Sequence, residues 1–173
     1  MSDAETLRIY DTNAADYAKK NQDELSSNPR LLDFITACRP GGRVLDLGCG
    51  PGTSAAVMAK AGLKPDATDA STEMVALAKA HAGVNALQAS FEEITGDDLY
   101  EGIWASFSLL HAPRSAMPGH LAAIKRALRP GGVFYIGLKM GKGEARDALG
   151  RLYTYYEEDE LKDLLKTAGF TVL

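Results

Sequence analysis

Between Val44 and Gly52 the chain reads Val-Leu-Asp-Leu-Gly-Cys-Gly-Pro-Gly, and no other segment restricts its fold as much. An apolar pair runs into Asp46, and glycines then recur at 48, 50 and 52. A buried strand is therefore expected to turn sharply into a helix, with a stretch of main chain left bare. Without Cβ atoms those positions reach φ > 0 and let a ligand approach the backbone, while N–H groups at the start of the following helix are expected to face it.

The next acidic landmark says what such a cradle would hold. Residues Lys64 to Asp69 read as a second strand, and Ser71 stands where it would cap the helix that follows. Asp69 comes 23 positions after Asp46, about the interval at which an α/β mononucleotide unit sets a carboxylate on ribose hydroxyls. A carboxylate only accepts, so it suits a pair of O–H donors. Dinucleotides and S-adenosylmethionine both fit this interval, and the glycine pattern separates them. A Gly-x-Gly-x-x-Gly run from Gly48 would need glycine at 53, where Thr53 stands. Asp46 would also repel a pyrophosphate, so a cationic ligand suits it better.

These residues resemble the class I S-adenosylmethionine-dependent methyltransferases, whose first motif has this Asp-x-Gly-x-Gly form. The likeness extends to Asp69-Ala-Ser-Thr-Glu-Met74 and to Leu128-Arg-Pro-Gly-Gly-Val133, in the family's order, and spans most of residues 10 to 170. The resemblance implies S-adenosylmethionine as cofactor. Gly48, Gly50 and Gly52 would pass its methionine part, Asp46 would order its amino group, Asp69 would take the ribose, the adjoining Ala70 would also touch the cofactor, and Met74 would lie over the adenine. Met74 equally suits a plain helix core, because Met74, Leu77, Ala78 and His81 share one face. Where the family often has an acidic residue for the adenine amino group, this chain has Ala89-Ser90-Phe91. Ser90 can accept there, more weakly than a carboxylate. Phe91 is either core or a ring beside the adenine.

Strand and helix signals alternate through the chain, and the expected fold is α/β: a three-layer, Rossmann-like, open and mainly parallel sheet with helices on both faces. Strands are expected at Val44 to Leu47, Lys64 to Asp69, Asn85 to Gln88, Gly102 to Leu110 and Val133 to Lys139, and helices at Thr53 to Ala61, Ser71 to Ala82, Pro118 to Leu128 and Glu157 to Thr167. Residues 1–39 read as a helical lid on a core of 43–173, with one helix over residues 4–25 carrying Leu25 on its apolar side and another starting at Asn28-Pro29. The family's closing strand pair looks incomplete, since the expected sixth strand, Phe170 to Leu173, ends the sequence. Without a seventh strand the fifth would show an unpaired edge.

Methyl transfer requires chiefly that donor and acceptor be aimed at each other, with a base where the acceptor carries a proton. His111, after the fourth strand, is either that base or a hydrogen-bonded loop residue. Ser106 and Ser108 are candidates for the pocket wall. Arg151, Tyr153 and Tyr156 either enclose an acceptor bearing a carboxylate or fasten the last helix to the sheet. Tyr10 and Tyr17 lie two helical turns apart, and Tyr17 is the better candidate for reaching the cofactor's methionine end.

With 173 residues the chain can build one core without disulfides or metal. Cys38 and Cys49 are expected as free thiols. A net charge of −4 with scattered basic residues argues against a nucleic-acid partner and for a small-molecule one. No run of about 18 apolar residues or basic-then-apolar leader occurs, so no membrane partner is expected and the cytoplasm is the expected compartment. The rival reading is a catalytically silent module that binds S-adenosylmethionine; a nicotinamide-dependent oxidoreductase is disfavoured by Thr53.

Overall fold

The computed structural model describes residues 3–20 and 28–173. Its elements follow the order α1 (Ala4–Lys20), α2 (Pro29–Ala37), β1 (Arg43–Leu47), α3 (Thr53–Lys60), β2 (Lys64–Asp69), α4 (Thr72–Ala78), β3 (Asn85–Gln88), β4 (Tyr100–Ser106), α5 (Met117–Ala127), β5 (Leu128–Gly137), β6 (Glu144–Arg146), β7 (Leu152–Thr154) and α6 (Glu158–Thr167). Five parallel strands form one sheet in the order β3-β2-β1-β4-β5. The order reverses at β1, between β2 and β4, which is where an open α/β sheet gathers its ligands.

The period-two alternation of the central strands sorts side chains between the two faces. Leu45 and Leu47 of β1 and Ile103 and Ala105 of β4 join Met117, Leu121 and Ile124 of α5 and Leu165 of α6. Val44 and Trp104 point the other way, into a cluster with Leu31 and Phe34 of α2 and Met58 of α3. Asp46 lies opposite Trp104 in the β1–β4 register. Strands buried on both faces explain the near-continuous apolar run ahead of the glycines. Gly102 lets α2 sit close to the sheet: a Cβ there would come within 2.6 Å of the Phe34 ring and 2.7 Å of the Cys38 sulfur.

Buried polar groups near the sheet's N-terminal end are matched. Asp66 accepts from Arg43 Nε at 2.8 Å, Asn85 Nδ2 at 2.7 Å and the Tyr100 hydroxyl at 3.2 Å, and Glu101 is held between Arg39 and Arg129. Cys38 and Cys49 are both free and buried. No helix among the described residues is long and apolar enough to cross a membrane.

Several expected boundaries move. β4 stops at Ser106, and residues 109–111 form a single 3-10 turn instead of continuing the strand. β5 starts at Leu128, five positions earlier than expected, because Leu128 pairs with Tyr100 before the register shifts. α4 ends at Ala78. The leading helix is described to Lys20, and Leu25 lies outside the described residues. Phe170 to Leu173 make no strand; Phe170 turns its ring against Phe134 at 5.2 Å, under Lys125, and so covers a face of β5 without pairing with its edge. β6 and β7 form a separate antiparallel pair, and β7 packs against the turn that carries His111.

Candidate active site

The C-terminal ends of β1, β2 and β4 and the inner side of α1 enclose a cavity of about 640 Å³. Of the residues singled out in the sequence, Asp46, Gly48, Gly50, Asp69, Ala70, Met74, Phe91, Ser106, His111 and Tyr17 lie on its wall. Gly52, Ser90, Arg151, Tyr153 and Tyr156 do not.

The amides of the cradle loop are paired within the protein, while Thr53 and Ser54 of the first helical turn lie on the cavity wall. The amides of Gly48 and Cys49 donate to the Thr68 carbonyl at 2.8 and 2.9 Å, and that of Gly50 donates to Asp69 Oδ2 at 2.8 Å. Gly52 N–H returns to the Cys49 carbonyl, and Ala55 N–H goes to Asp46 Oδ2 at 3.1 Å. These donors are therefore spent on the loop's own Cys49 carbonyl, on the Thr68 carbonyl of β2 and on two carboxylates. A pyrophosphate, which needs free donors, is poorly served by such a surface; a ligand with hydroxyl and ammonium donors of its own is well served.

Each glycine has a separate reason. At Gly48 (φ 70°) a Cβ would meet that of Ser108 at 2.3 Å, because Ser108 Oγ donates to the Leu47 carbonyl at 2.6 Å and locks the two loops together. At Gly50 (φ 52°) a Cβ would find nothing nearer than the Tyr17 ring, 3.9 Å away, so the bare backbone faces the cavity. Gly52 (φ 79°) serves packing: a Cβ there would reach Ala78 of α4 at 2.7 Å. Gly52, expected beside the ligand, thus stands off the cavity wall at a close approach between α3 and α4.

Asp69 takes Gly50 N–H on one oxygen and Ser71 N–H on the other, which fixes its orientation and leaves lone pairs for a ligand. Burial still raises its pKa. Asp46 is only 3 % exposed, and burial pushes its pKa up to about 7 against the pull of the Ala55 amide. A cation in the cavity would favour its charged form. Met74 is fully buried and also on the cavity wall, so core packing and ligand contact coincide in one residue. Phe91 likewise reaches the cavity and packs on the core. Ser90 turns away, because its hydroxyl and its N–H both bond Glu93 in a capping box.

His111 donates from Nδ1 to the Leu152 carbonyl at 2.6 Å, which makes Nε2 the acceptor for the Tyr10 hydroxyl at 2.8 Å. Burial, with Arg151 and Lys139 nearby, brings its pKa down to about 4, so the ring is neutral near pH 7. Arg151 does not open onto the cavity. It pairs with Asp147 and touches the Tyr10 hydroxyl at 3.3 Å. Tyr153 packs behind His111, and Tyr156 is buried in the core under the Arg114 guanidinium. Both tyrosines fasten the C-terminal segment, and neither lines the cavity.

Sequence reasoning misses Phe107, Trp104, Asp3 and Thr6 on the wall. Thr6 and Asp3 leave no signal in a solvent-like helix pattern, yet Thr6 Oγ1 donates to Asp3 and accepts from Leu152 N–H at 2.8 Å, tying α1 to β7. Ser71 caps α4 and also donates to Asp11 of α1 at 2.6 Å.

A parallel sheet with its glycine turn at the reversal point, and an acidic residue closing the next strand, defines a nucleoside-binding α/β domain. Residues 44–132 match the family model of the methyltransferase domain. The chain belongs to this family, the class I S-adenosylmethionine-dependent methyltransferases. It is 32% identical over 116 residues to a ubiquinone biosynthesis O-methyltransferase of Xanthomonas campestris, a match covering 63% of this chain and 48% of that protein. To a cypemycin N-terminal methyltransferase of Streptomyces it is 30% identical over 135 residues, 74% of this chain and 55% of the other. The chain spans about half the length of the curated relatives it matches. Among solved structures, Burkholderia thailandensis 1,6-didemethyltoxoflavin-N1-methyltransferase, with bound 1,6-didemethyltoxoflavin and S-adenosylhomocysteine, superposes with a TM-score of 0.83 at 26% identity, covering 98% of this chain and 78% of that one.

Proposed function

We propose that this chain transfers a methyl group from S-adenosylmethionine to a small-molecule acceptor held in the cavity beneath α1. The observation that carries this reading is the pairing of Asp69 with the Gly50 amide, which presents an oriented carboxylate beside a bare backbone turn whose own donors are already used. When bound, the cofactor supplies a methyl group on a cationic sulfur. Asp69 accepts the two ribose hydroxyls, Asp46 faces the ammonium group, and Met74, Ala70 and Phe91 give the base an apolar slot. Gly48 and Gly50 leave room for the methionine part, with Ser106 and Tyr17 beside it.

The acceptor side lies between α1 and the turn after β4. Excluding water and aligning the acceptor supply most of the rate, about 7–11 kcal/mol in well-oriented systems. His111 contributes through Tyr10: an acceptor proton passes to the Tyr10 oxygen as the Tyr10 hydroxyl proton passes to His111 Nε2, and the Arg151 guanidinium, donating to the Tyr10 oxygen, holds that hydroxyl in place for the transfer. A residue pair of this kind helps an O–H or N–H acceptor. In this reading α1 acts as a lid, and Arg151 as a positioning residue behind it.

Isothermal calorimetry with S-adenosylhomocysteine tests the cofactor assignment. Asp69→Ala should weaken binding by about tenfold to a hundredfold, as expected for losing charged hydrogen bonds. Tyr10→Phe should leave that affinity near wild type and slow methyl transfer from labelled cofactor. Absence of binding heat in the wild type would overturn the reading.

A further inference from the structure

Among the described residues only Asp98 and Phe107 have positive φ without being glycine. Asp98 is a short polar residue of a kind that tolerates the left-handed region; Phe107, at φ 52°, is a bulky one for which that region is strained. The strain is imposed from both sides. Phe107 N–H donates to the Gly137 carbonyl at 2.9 Å, and the next residue, Ser108, is pinned to Leu47 and pressed against Gly48. Strain of this sort persists where the surroundings over-determine it, and it gathers at ligand sites.

The ring that the strained backbone carries does not serve core packing. Phe107 is 55% exposed, and it is the only aromatic among the exposed large apolar residues described; the others are Leu, Met or Val. It nevertheless lies on the wall of the cavity, together with Tyr10, Tyr17 and His111. An uncovered phenyl ring at the end of β4, in a concave wall rich in other rings, has the chemistry to bind a flat π-system by offset stacking.

We propose that Phe107 is the specificity-determining platform of the acceptor subsite, and that the acceptor class is a planar aromatic or heteroaromatic ring. This rests on the methyltransferase reading above and adds the substrate class to it.

The test uses protein saturated with S-adenosylhomocysteine, titrated with catechol and 5-hydroxyindole as planar probes and with cyclohexane-1,2-diol as the saturated counterpart of catechol. Wild-type protein should bind at least one planar probe and bind the saturated diol at least about tenfold more weakly. Phe107→Gly and Phe107→Asn both accept φ near 52°, so each should melt no lower than wild type and keep its affinity for S-adenosylhomocysteine. Each should lose planar-probe affinity by about tenfold, and Phe107→Tyr should retain it. Equal binding of catechol and the saturated diol, no planar binding by wild type, probe affinity within twofold of wild type in both ring-less variants, or lower melting of both variants would each overturn the assignment. A protein that binds no S-adenosylhomocysteine would remove the methyltransferase reading itself. One that binds it but ignores ring planarity removes only the role of Phe107.

Discussion

Asp46 shows how one side chain can tie folding to ligand binding. Its carboxylate replaces the side-chain cap that Gly52 cannot supply at the start of α3, accepting from Ala55 N–H. Burial raises its pKa from 3.8 to about 7. A carboxyl group whose pKa is raised by folding stabilises the native state fully below its unfolded pKa, and that contribution is lost as pH rises through the folded one. Wild-type protein without ligand should therefore lose melting temperature between about pH 4 and pH 7 relative to Asp46→Asn, whose amide oxygen can still accept from Ala55. The two melting curves should meet near pH 4 and separate in favour of the variant by pH 8. S-adenosylhomocysteine binding should be weaker in the variant. Parallel melting curves across that range would show that the carboxylate titrates like a solvated one.

At the scale of elements, the position of α2 depends on an absent side chain. Gly102 sits mid-strand in β4, and the Phe34 ring, in edge contact with Trp104 at 5.3 Å, occupies the space a Cβ would need. Gly102→Ala should cost about 1–3 kcal/mol by overpacking, a fall of about 3–10 °C in melting temperature for a chain of this size. Phe34→Leu added to it should recover part of the loss, and strictly additive losses would show that the two sites do not compete for space. In the sequence Gly102 reads only as the start of a strand, while Gly48 and Gly50 read as a ligand turn. The difference is physical. A turn from strand to helix is encoded in neighbouring residues, so the cradle, Asp69 and the Ser71 cap are legible. Contacts that depend on distant partners are not. The Thr68 carbonyl that takes the Gly48 and Cys49 amides, the Ala78 methyl against Gly52, and the two clamps that put Phe107 at positive φ all come from other elements. For the same reason Tyr156 resembles a pocket residue beside its neighbours Arg151 and Tyr153, although its burial follows from where Arg114 and α6 happen to lie.

For the whole molecule, the cavity is roofed by a helix that is polar on much of its surface and is held mainly by polar bonds. α1 reaches β7 through Thr6 and Leu152, β6 through Asp3 and Arg146, the turn after β4 through Tyr10 and His111, and α4 through Asp11 and Ser71. Such contacts hold geometry more than they hold the fold, because each exchanges a water bond for a protein bond. Among the described apolar residues of α1 only Ala14 is buried, and it stands outside the clusters that make the core. The roof should therefore open at lower cost than the sheet unfolds, as weakly packed segments do. Thr6→Val keeps the shape of the side chain while depriving Leu152 N–H of its acceptor, a penalty of about 1–3 kcal/mol on the closed arrangement if that amide stays buried. Its expected signature is faster S-adenosylhomocysteine release in stopped-flow experiments following the fluorescence of Trp104, with far-UV circular dichroism unchanged. Arg146→Ala, at a residue outside the cavity wall, should shift the release rate in the same direction. Unaltered release in both variants would mean that α1 is fixed scaffold and that ligands enter by another route.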